Sequence, residues 1–388
     1  MPRELHFYEK KTPRRGLLRG AGLCALGLAV TGGTGGAYVN EEMGAAPSGE
    51  RLRRIEASPH WRDGAFRNLL DVPDFTGKRR SSWRAMLDFL TDRTVGIEPT
   101  VRVPSIKTPL ADVREGELLW LGHSGFFLRE AGLSILVDPA LGAASPVPFA
   151  FKPFSGADVY QPADLPAADL LLITHDHYDH LDYLTIRAIK DRVRRVVCPL
   201  GVGAHFEYWG WPAERITELD WFESTRAGER LLVTLVPSQH FSGRTLKRNT
   251  TLWGGFVLEF AASGDAAAKT LYLSGDGGYG PHFSTIARRW PTIDLAVLED
   301  GQYNTDWSTI HLMPAHWRQA LQDLSPKRVM PCHNAKYALS RHVWTEPLET
   351  ALESALVLGV PAARPKFGQA FDWAAGADMS AAWWPKQP

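Results

Sequence analysis

Residues Leu170–Asp182 read LLLITHDHYDHLD, and His175, His177, Asp179 and His180 crowd four potential metal donors into six positions. Neutral imidazole and carboxylate are the usual donors to zinc and its first-row neighbours. A single structural zinc with an open face has no use for so many donors in one short stretch, so the burst reads as parts of two adjacent sites. His175 and His177 are two apart and would point nearly opposite ways on a helix. In a sharp turn they can converge. A pair of cations held this way suits hydrolysis, because it makes water acidic enough to ionise near neutral pH and binds oxygens on which negative charge builds. No serine or cysteine nucleophile is needed.

Such a turn has to be carried by regular elements. Leu170–Ile173 is a short Leu/Ile run that suits a buried strand. Asp182 stands where it can cap a helix over Tyr183–Arg192. The pattern recurs downstream. Leu231–Val236 runs into Pro237-Ser238-Gln239-His240, and Leu271–Leu273 into Ser274-Gly275-Asp276. Leu295–Leu298 runs into Glu299-Asp300, and Val329-Met330 into Pro331-Cys332-His333. In α/β proteins sites form at strand ends, so tips bearing His or Asp point to one shared cavity. Helices over Phe283–Arg289 and Pro314–Leu324, the second with proline at its start, fill the gaps. Upstream, Leu118–Leu121 reads as a strand, interrupted by Gly122-His123-Ser124-Gly125 and continued by Phe126–Arg129. After a turn at Glu130-Ala131-Gly132, Leu133–Val137 returns as a second strand ending in Asp138-Pro139. Strand hairpins mixed with strand–helix units imply a layered α/β domain. Ser145–Gln161, with PVPFAFKPF at its centre, is irregular; it either walls a substrate pocket or covers surface.

The chain has 388 residues, 44% hydrophobic, enough for a substantial core. Its net charge of +0 argues against a nucleic-acid partner. No CxxC is present. Cys198 and Cys332 pair only if the fold joins them, and Cys332, beside His333, either lines the site or fills core. Arg14-Arg15 ahead of a mildly apolar run resembles a twin-arginine export signal or anchor spanning residues 1–37. That predicts the periplasm or the outer face of the inner membrane, with a cytoplasmic or membrane-anchored protein as the alternative. Residues 38–110 read as a linker (Asn40–Glu50) and an N-terminal extension, in which Trp83–Leu90 has helical spacing and either docks on the domain or faces a membrane. Residues 111–375 form the main domain and 376–388 a tail.

HxHxDH after an apolar strand, here His175 to His180, resembles the metallo-β-lactamase superfamily. The longer string HDHYDHLD resembles the branch containing N-acylphosphatidylethanolamine-hydrolysing phospholipase D. Trp120-Leu121-Gly122-His123, Asp138-Pro139, Cys198-Pro199-Leu200-Gly201, Pro237-Ser238-Gln239-His240, Arg244-Thr245-Leu246, Leu252-Trp253-Gly254 and Gly275-Asp276-Gly277-Gly278-Tyr279 look like that branch too. The likeness covers Glu115 to about Glu353. It implies a four-layer αββα sandwich with an N-terminal extension. It also implies one metal on His175, His177 and His240, another on Asp179, His180 and His333, and Asp276 between them. Asp179, Asp276 and His311 would be catalytic, Asp138 and His123 would orient ligands, and His311 and Tyr303 would touch substrate. Two zinc ions are the implied cofactors, and iron or manganese fits the same donors. The implied reaction is hydrolysis of the phosphodiester of an N-acylated phosphatidylethanolamine, with a bridging hydroxide attacking phosphorus. The expected partner is thus a phospholipid or another small-molecule substrate, with peripheral membrane contact; a homodimer is compatible. A lactonase or other ester or phosphodiester hydrolase, and a non-catalytic metal-binding envelope protein, are the alternatives. Two departures bear on the substrate. Asn334-Ala335-Lys336-Tyr337 stands where the phospholipases tend to have Trp-Gly-Thr-Phe, and Gly277 replaces a usual Thr or Ser.

Overall fold

A computed structural model describes residues 34–74, 76, 95–245, 247–264, 266–375 and 382–385. The twin-arginine stretch, Trp83–Leu90 and most of the tail lie outside the described residues. Two helices come first, α1 (Thr34–Met43) and α2 (Gly49–Glu56), then a small hairpin of β1 (Trp61–Arg62) and β2 (Ala65–Phe66). Strands β3 (Glu117–Gly122), β4 (Gly125–Glu130), β5 (Leu133–Val137), β6 (Ala168–Leu172), β7 (Val193–Pro199) and β8 (Ile216–Leu219) follow. Helix α3 (Tyr183–Ile189) joins β6 to β7, and α4 (Gly203–Tyr208) joins β7 to β8. The second half runs through β9 (Ser224–Ala227), β10 (Leu231–Val236), β11 (Gly255–Phe260), β12 (Lys269–Leu273), α5 (His282–Arg289), β13 (Leu295–Glu299), α6 (Pro314–Leu324), β14 (Val329–Cys332), α7 (Glu346–Leu358) and β15 (Ala370–Asp372).

Among the described residues one sheet has the order β15-β3-β4-β5-β6-β7-β8 and the other β14-β13-β12-β11-β10-β9. Both are antiparallel where hairpins connect strands and parallel where longer crossovers do, helical ones except for the irregular connection between β5 and β6, as short turns and crossovers require. Alternation along each strand sets the layers. Leu118, Trp120, Leu170 and Leu172 of one sheet share the core between the sheets with Leu231, Val233, Leu271 and Val297 of the other. Leu119, Leu121, Leu171 and Val196 pack outward on Ile186, Ile189 and Phe206. Val257, Tyr272, Ala296 and Val329 pack outward on Phe283, Trp317, Leu321 and Ala355. Three apolar seams between four layers make the αββα sandwich of the metallo-β-lactamase fold.

The structure revises several expectations. Gly122-His123-Ser124-Gly125 does not interrupt one strand; the chain reverses there, and β3 and β4 pair as a hairpin. The helix after the histidine-rich turn stops at Ile189 and tightens to a 3-10 turn over Lys190–Arg192. Asn40–Glu50 is packed rather than a free linker. Arg244 donates to the Glu42 carbonyl, Trp209 Nε1 donates to that of Glu41 (2.8 Å), and the Arg51 guanidinium meets Glu207 and Glu218. Ile55 of α2 is wholly buried in the inter-sheet core. Cys198 and Cys332 are free and lie in different seams, Cys332 as core. Among the described residues no helix is long and apolar enough to cross a membrane.

Candidate metal centre

Strand ends meet at one edge of the sandwich. After β6 the chain turns through His175–Leu181, closed by Leu181 N–H donating to the His177 carbonyl (2.8 Å), and Asp182 caps α3 by accepting from Leu184 N–H. β10 delivers His240, β12 Asp276, β13 Glu299 and β14 His333; the β3–β4 turn delivers His123 and β5 Asp138. His123 and His333 both sit at positive φ, 56° and 62°, an uncommon region for side chains of this size and one that marks functional turns. Gly278 lets the Asp276 loop close on its neighbour: a Cβ there would stand 2.0 Å from the Thr309 carbonyl oxygen.

Two donor sets emerge. In the first, His177 Nδ1 lies 2.8 Å from His175 Nε2 and 3.2 Å from His240 Nε2. In the second, His180, Asp179 and His333 share a group with His123. Asp276 stands between. Its Oδ2 is 4.0 Å from His175 Nε2 and 3.9 Å from His240 Nε2, while its Oδ1 is 3.2 Å from His180 Nε2 and 3.0 Å from His333 Nδ1. One carboxylate therefore offers one oxygen to each set.

Surrounding groups fix the rings. His240 Nδ1 donates to the Ile310 carbonyl (3.0 Å), which leaves the Nε2 lone pair for the centre. His180 Nδ1 donates to Asp138 Oδ2 (2.8 Å), and the same carboxylate accepts from Thr174 N–H and Oγ1. His123 Nε2 lies 2.9 Å from Asp179 Oδ2. These are the contacts that orient metal donors and set their tautomers. Beneath the turn, the buried Arg244 guanidinium donates to the carbonyls of Asp176 (2.8 Å) and Leu181 (2.7 Å) and lies 4.1 Å from the Tyr178 ring centre. Asp176 itself is turned away from the centre, accepting from Gly243 N–H (2.7 Å) and Thr251 Oγ1 (2.8 Å).

The electrostatics match a cation site. Burial, then the neighbouring histidines, push His175, His240 and His333 well below the usual imidazole range; burial pushes His177 down to about 4. They are neutral donors at neutral pH, the form a metal needs. Burial raises Asp276 to about 6, against the pull of His180. Burial works to lower His180, but Asp276, Asp179 and Asp138 together hold it well above its usual value. His180 Nε2 and Asp276 Oδ1 are buried and have no hydrogen-bond partner among the described residues. Unpartnered polar atoms amid several carboxylates are costly in a protein interior unless a cation joins them. The residues present fit divalent metal binding.

The structure thus gathers His175, His177, Asp179, His180, His240, Asp276 and His333, with His123 and Asp138 behind them. His311 is also there, its ring centre 5.2 Å from that of His240 and 5.4 Å from that of His333. The Tyr303 hydroxyl donates to Glu346 Oε1 at the start of α7 (2.8 Å), and its carbonyl accepts from Ser340. Glu299 was visible only as a strand tip; it is fully buried and 3.2 Å from His311 Nδ1. In the divergent stretch after His333, Lys336 Nζ donates to the Ala140 carbonyl (2.7 Å) and Tyr337 Oη to that of Gly142 (2.8 Å), fastening the loop after β5. Burial lowers that ammonium to about 8.

The sequence model of the beta-lactamase superfamily domain matches residues 134–334, just over half of the chain. An uncharacterized protein of Mycobacterium tuberculosis is 37% identical over 324 residues, 82% of this chain and 85% of that one. An N-acyl-phosphatidylethanolamine-hydrolyzing phospholipase D 1 of Caenorhabditis elegans is 28% identical over 249 residues, 60% of this chain and 64% of that one. The crystal structure of an isothiocyanate hydrolase from Delia radicum gut bacteria shares the fold, with a TM-score of 0.53 at 20% identity, covering 67% of this chain and 100% of that one.

Proposed function

Because the chain belongs to the beta-lactamase superfamily and carries its metal-dependent hydrolase fold, we propose that it is a two-metal hydrolase that cleaves the phosphodiester of N-acylated phosphatidylethanolamines. His175, His177 and His240 would hold one cation, Asp179, His180 and His333 the other, and Asp276 both. When bound, the cations supply Lewis acidity toward phosphoryl oxygens and make a water molecule acidic enough to act near neutral pH. Zinc suits the donor set. The chain's own part is to orient. Asp138 and Ile310 hold the rings of His180 and His240, and His123 holds Asp179. Hydrolysis would add water across the bond from phosphorus to the ethanolamine oxygen, giving phosphatidic acid and an N-acylethanolamine.

The observation that carries the lipid assignment is a set of exposed apolar side chains on two segments tied to residues of the centre. Asn68 exchanges hydrogen bonds with the His240 backbone, so the exposed Leu69 and Leu70 stand beside it. The loop fastened by Tyr337, whose ring meets that of His123, carries the exposed Phe149 and Phe151. Acyl chains would lie against these side chains while the phosphate meets the centre. The sequence likeness to phospholipases of this class supports the same reading.

The test is a hydrolysis panel on the metal-loaded full chain: N-acylated and plain phosphatidylethanolamine in vesicles, a simple aryl phosphodiester, and short and long lactones. The expected result is phosphatidic acid from the N-acylated lipid, abolished in His175→Ala and Asp276→Asn. Turnover of lactones with none of the lipid would overturn the lipid assignment while leaving the metal centre standing.

A further inference from the structure

One carboxylate at the centre is spoken for by neither donor set. Glu299 ends β13, and its side chain is fixed from two loops: Oε1 accepts from Leu312 N–H (2.7 Å), and the Gly277 backbone bonds to the same group. Oε2 lies 3.2 Å from His311 Nδ1. His311 shares with His177 a partial exposure that the remaining histidines there lack. Its side chain is 12% exposed and that of Asp179 13%, whereas those of His175, His180, His240 and His333 are 1% or less. His311, His177 and Asp179 therefore border the open side of the centre. His311 is also within donor reach of His240 and Asp276.

We propose that Glu299 is a positioning residue that acts through His311. It accepts the Nδ1–H of the ring, fixes one tautomer and one ring direction, and leaves the Nε2 lone pair facing the open side of the centre. A rim histidine without such a partner has two tautomers and a freely turning ring. A carboxylate tied to two backbone amides leaves neither choice, because both the anchor and the ring it holds are then immobile. Glu299, His311 and His333 also lie close enough to form a donor group of their own. Glu299 is not assigned as a metal donor because its oxygens are committed to Leu312, Gly277 and His311. The proposal rests on the hydrolase reading only in giving His311 a substrate to meet; the tautomer is a property of the chain alone.

The experiment uses full-length protein with ¹⁵N-labelled histidine, first stripped of metal, then loaded. In the wild type, His311 should carry its proton on Nδ1. Glu299→Gln keeps the volume and the backbone contacts but puts an amide N–H against Nδ1, so His311 should switch to the Nε2–H form. The metal content should match the wild type, and kcat on whichever substrate is turned over should fall about 10–100-fold with KM nearly unchanged. Glu299→Asp retains a carboxylate and should keep the Nδ1–H form with an intermediate kcat. In a His311→Ala background, Glu299→Gln should cost nothing further. An Nε2–H proton in the wild type, an unchanged tautomer in Glu299→Gln, metal lost from that variant, or a full second loss in the His311→Ala background would each overturn the proposal. Should Glu299→Gln not fold, the wild-type tautomer and the Glu299→Asp variant decide. No lipid is needed for the tautomer, so its failure and that of the lipid assignment read out separately.

Discussion

Asp276 shows at the scale of single residues how the centre is built: its two oxygens face two donor sets, and each set is steered from behind. Asp138 does this for His180, so Asp138→Asn, which sets an amide N–H2 against His180 Nδ1–H, should weaken metal binding about 10–100-fold. Competition with a chromophoric chelator measures it; wild-type affinity in that variant would show that His180 is held some other way. Burial also makes a prediction far from the metals. It lowers His282 to about 3. The unfolded chain takes up this proton as pH falls below its ordinary value near 6.5, while the folded chain stays neutral, so stability present above about 6.5 is lost progressively down to about 3. By pH 4 the loss is roughly 3 kcal/mol. His282→Phe should shrink the difference in unfolding free energy between pH 7 and pH 4 by about that amount, whatever its effect at pH 7; an unchanged difference would mean that His282 is solvated in the native state. The residues at strand tips were legible in the sequence because each followed an apolar run. The Tyr303–Glu346 hydrogen bond was not legible because the two residues are remote in sequence, and Glu299 stayed unassigned because a buried acid beside a histidine is a fact of three dimensions.

Among the elements, the strand–turn–helix unit around His175–His180 is held by a part no local pattern announces. Arg244 reaches under the turn to the carbonyls of Asp176 and Leu181 and, on its other side, to that of Glu42 in the last turn of α1. Arg244→Met leaves those buried acceptors unpaired, at about 1–3 kcal/mol each. Urea denaturation should therefore show a loss on the order of 3 kcal/mol or more; a loss under about 1 kcal/mol would mean that water replaces the guanidinium. Long apolar strands such as β10 and β13 could be read directly. The β3–β4 turn could not, since Gly-His-Ser-Gly interrupts a strand or reverses it depending on which partner the second segment finds. Short strands at or near the sheet edges, β8, β9 and β15, are too brief and too polar to stand out from loops.

For the whole molecule, three apolar seams hold four layers together without help from the metal edge. The fold class was legible from the mixture of hairpins and strand–helix units, whereas the packing of α1 and α2 was not, because the linker-like composition of Asn40–Glu50 hides its backbone partners. A sandwich of this kind should survive chelation. Removing metal should lower the melting temperature by linkage alone, about 2.7 kcal/mol for each site held at 100 times its dissociation constant, with the circular dichroism of the native state retained. Unfolding on chelation at room temperature would contradict this. The central claim is that the chain holds a pair of cations with Asp276 shared between them, and the direct measurement is stoichiometric: titrate stripped full-length protein with zinc, desalt, and count metal by mass spectrometry. The wild type should saturate at about two equivalents, Asp276→Ala at one or fewer, and His175→Ala at one. Folded wild-type protein that retains no zinc, or an Asp276→Ala variant that retains as much as the wild type, would contradict it.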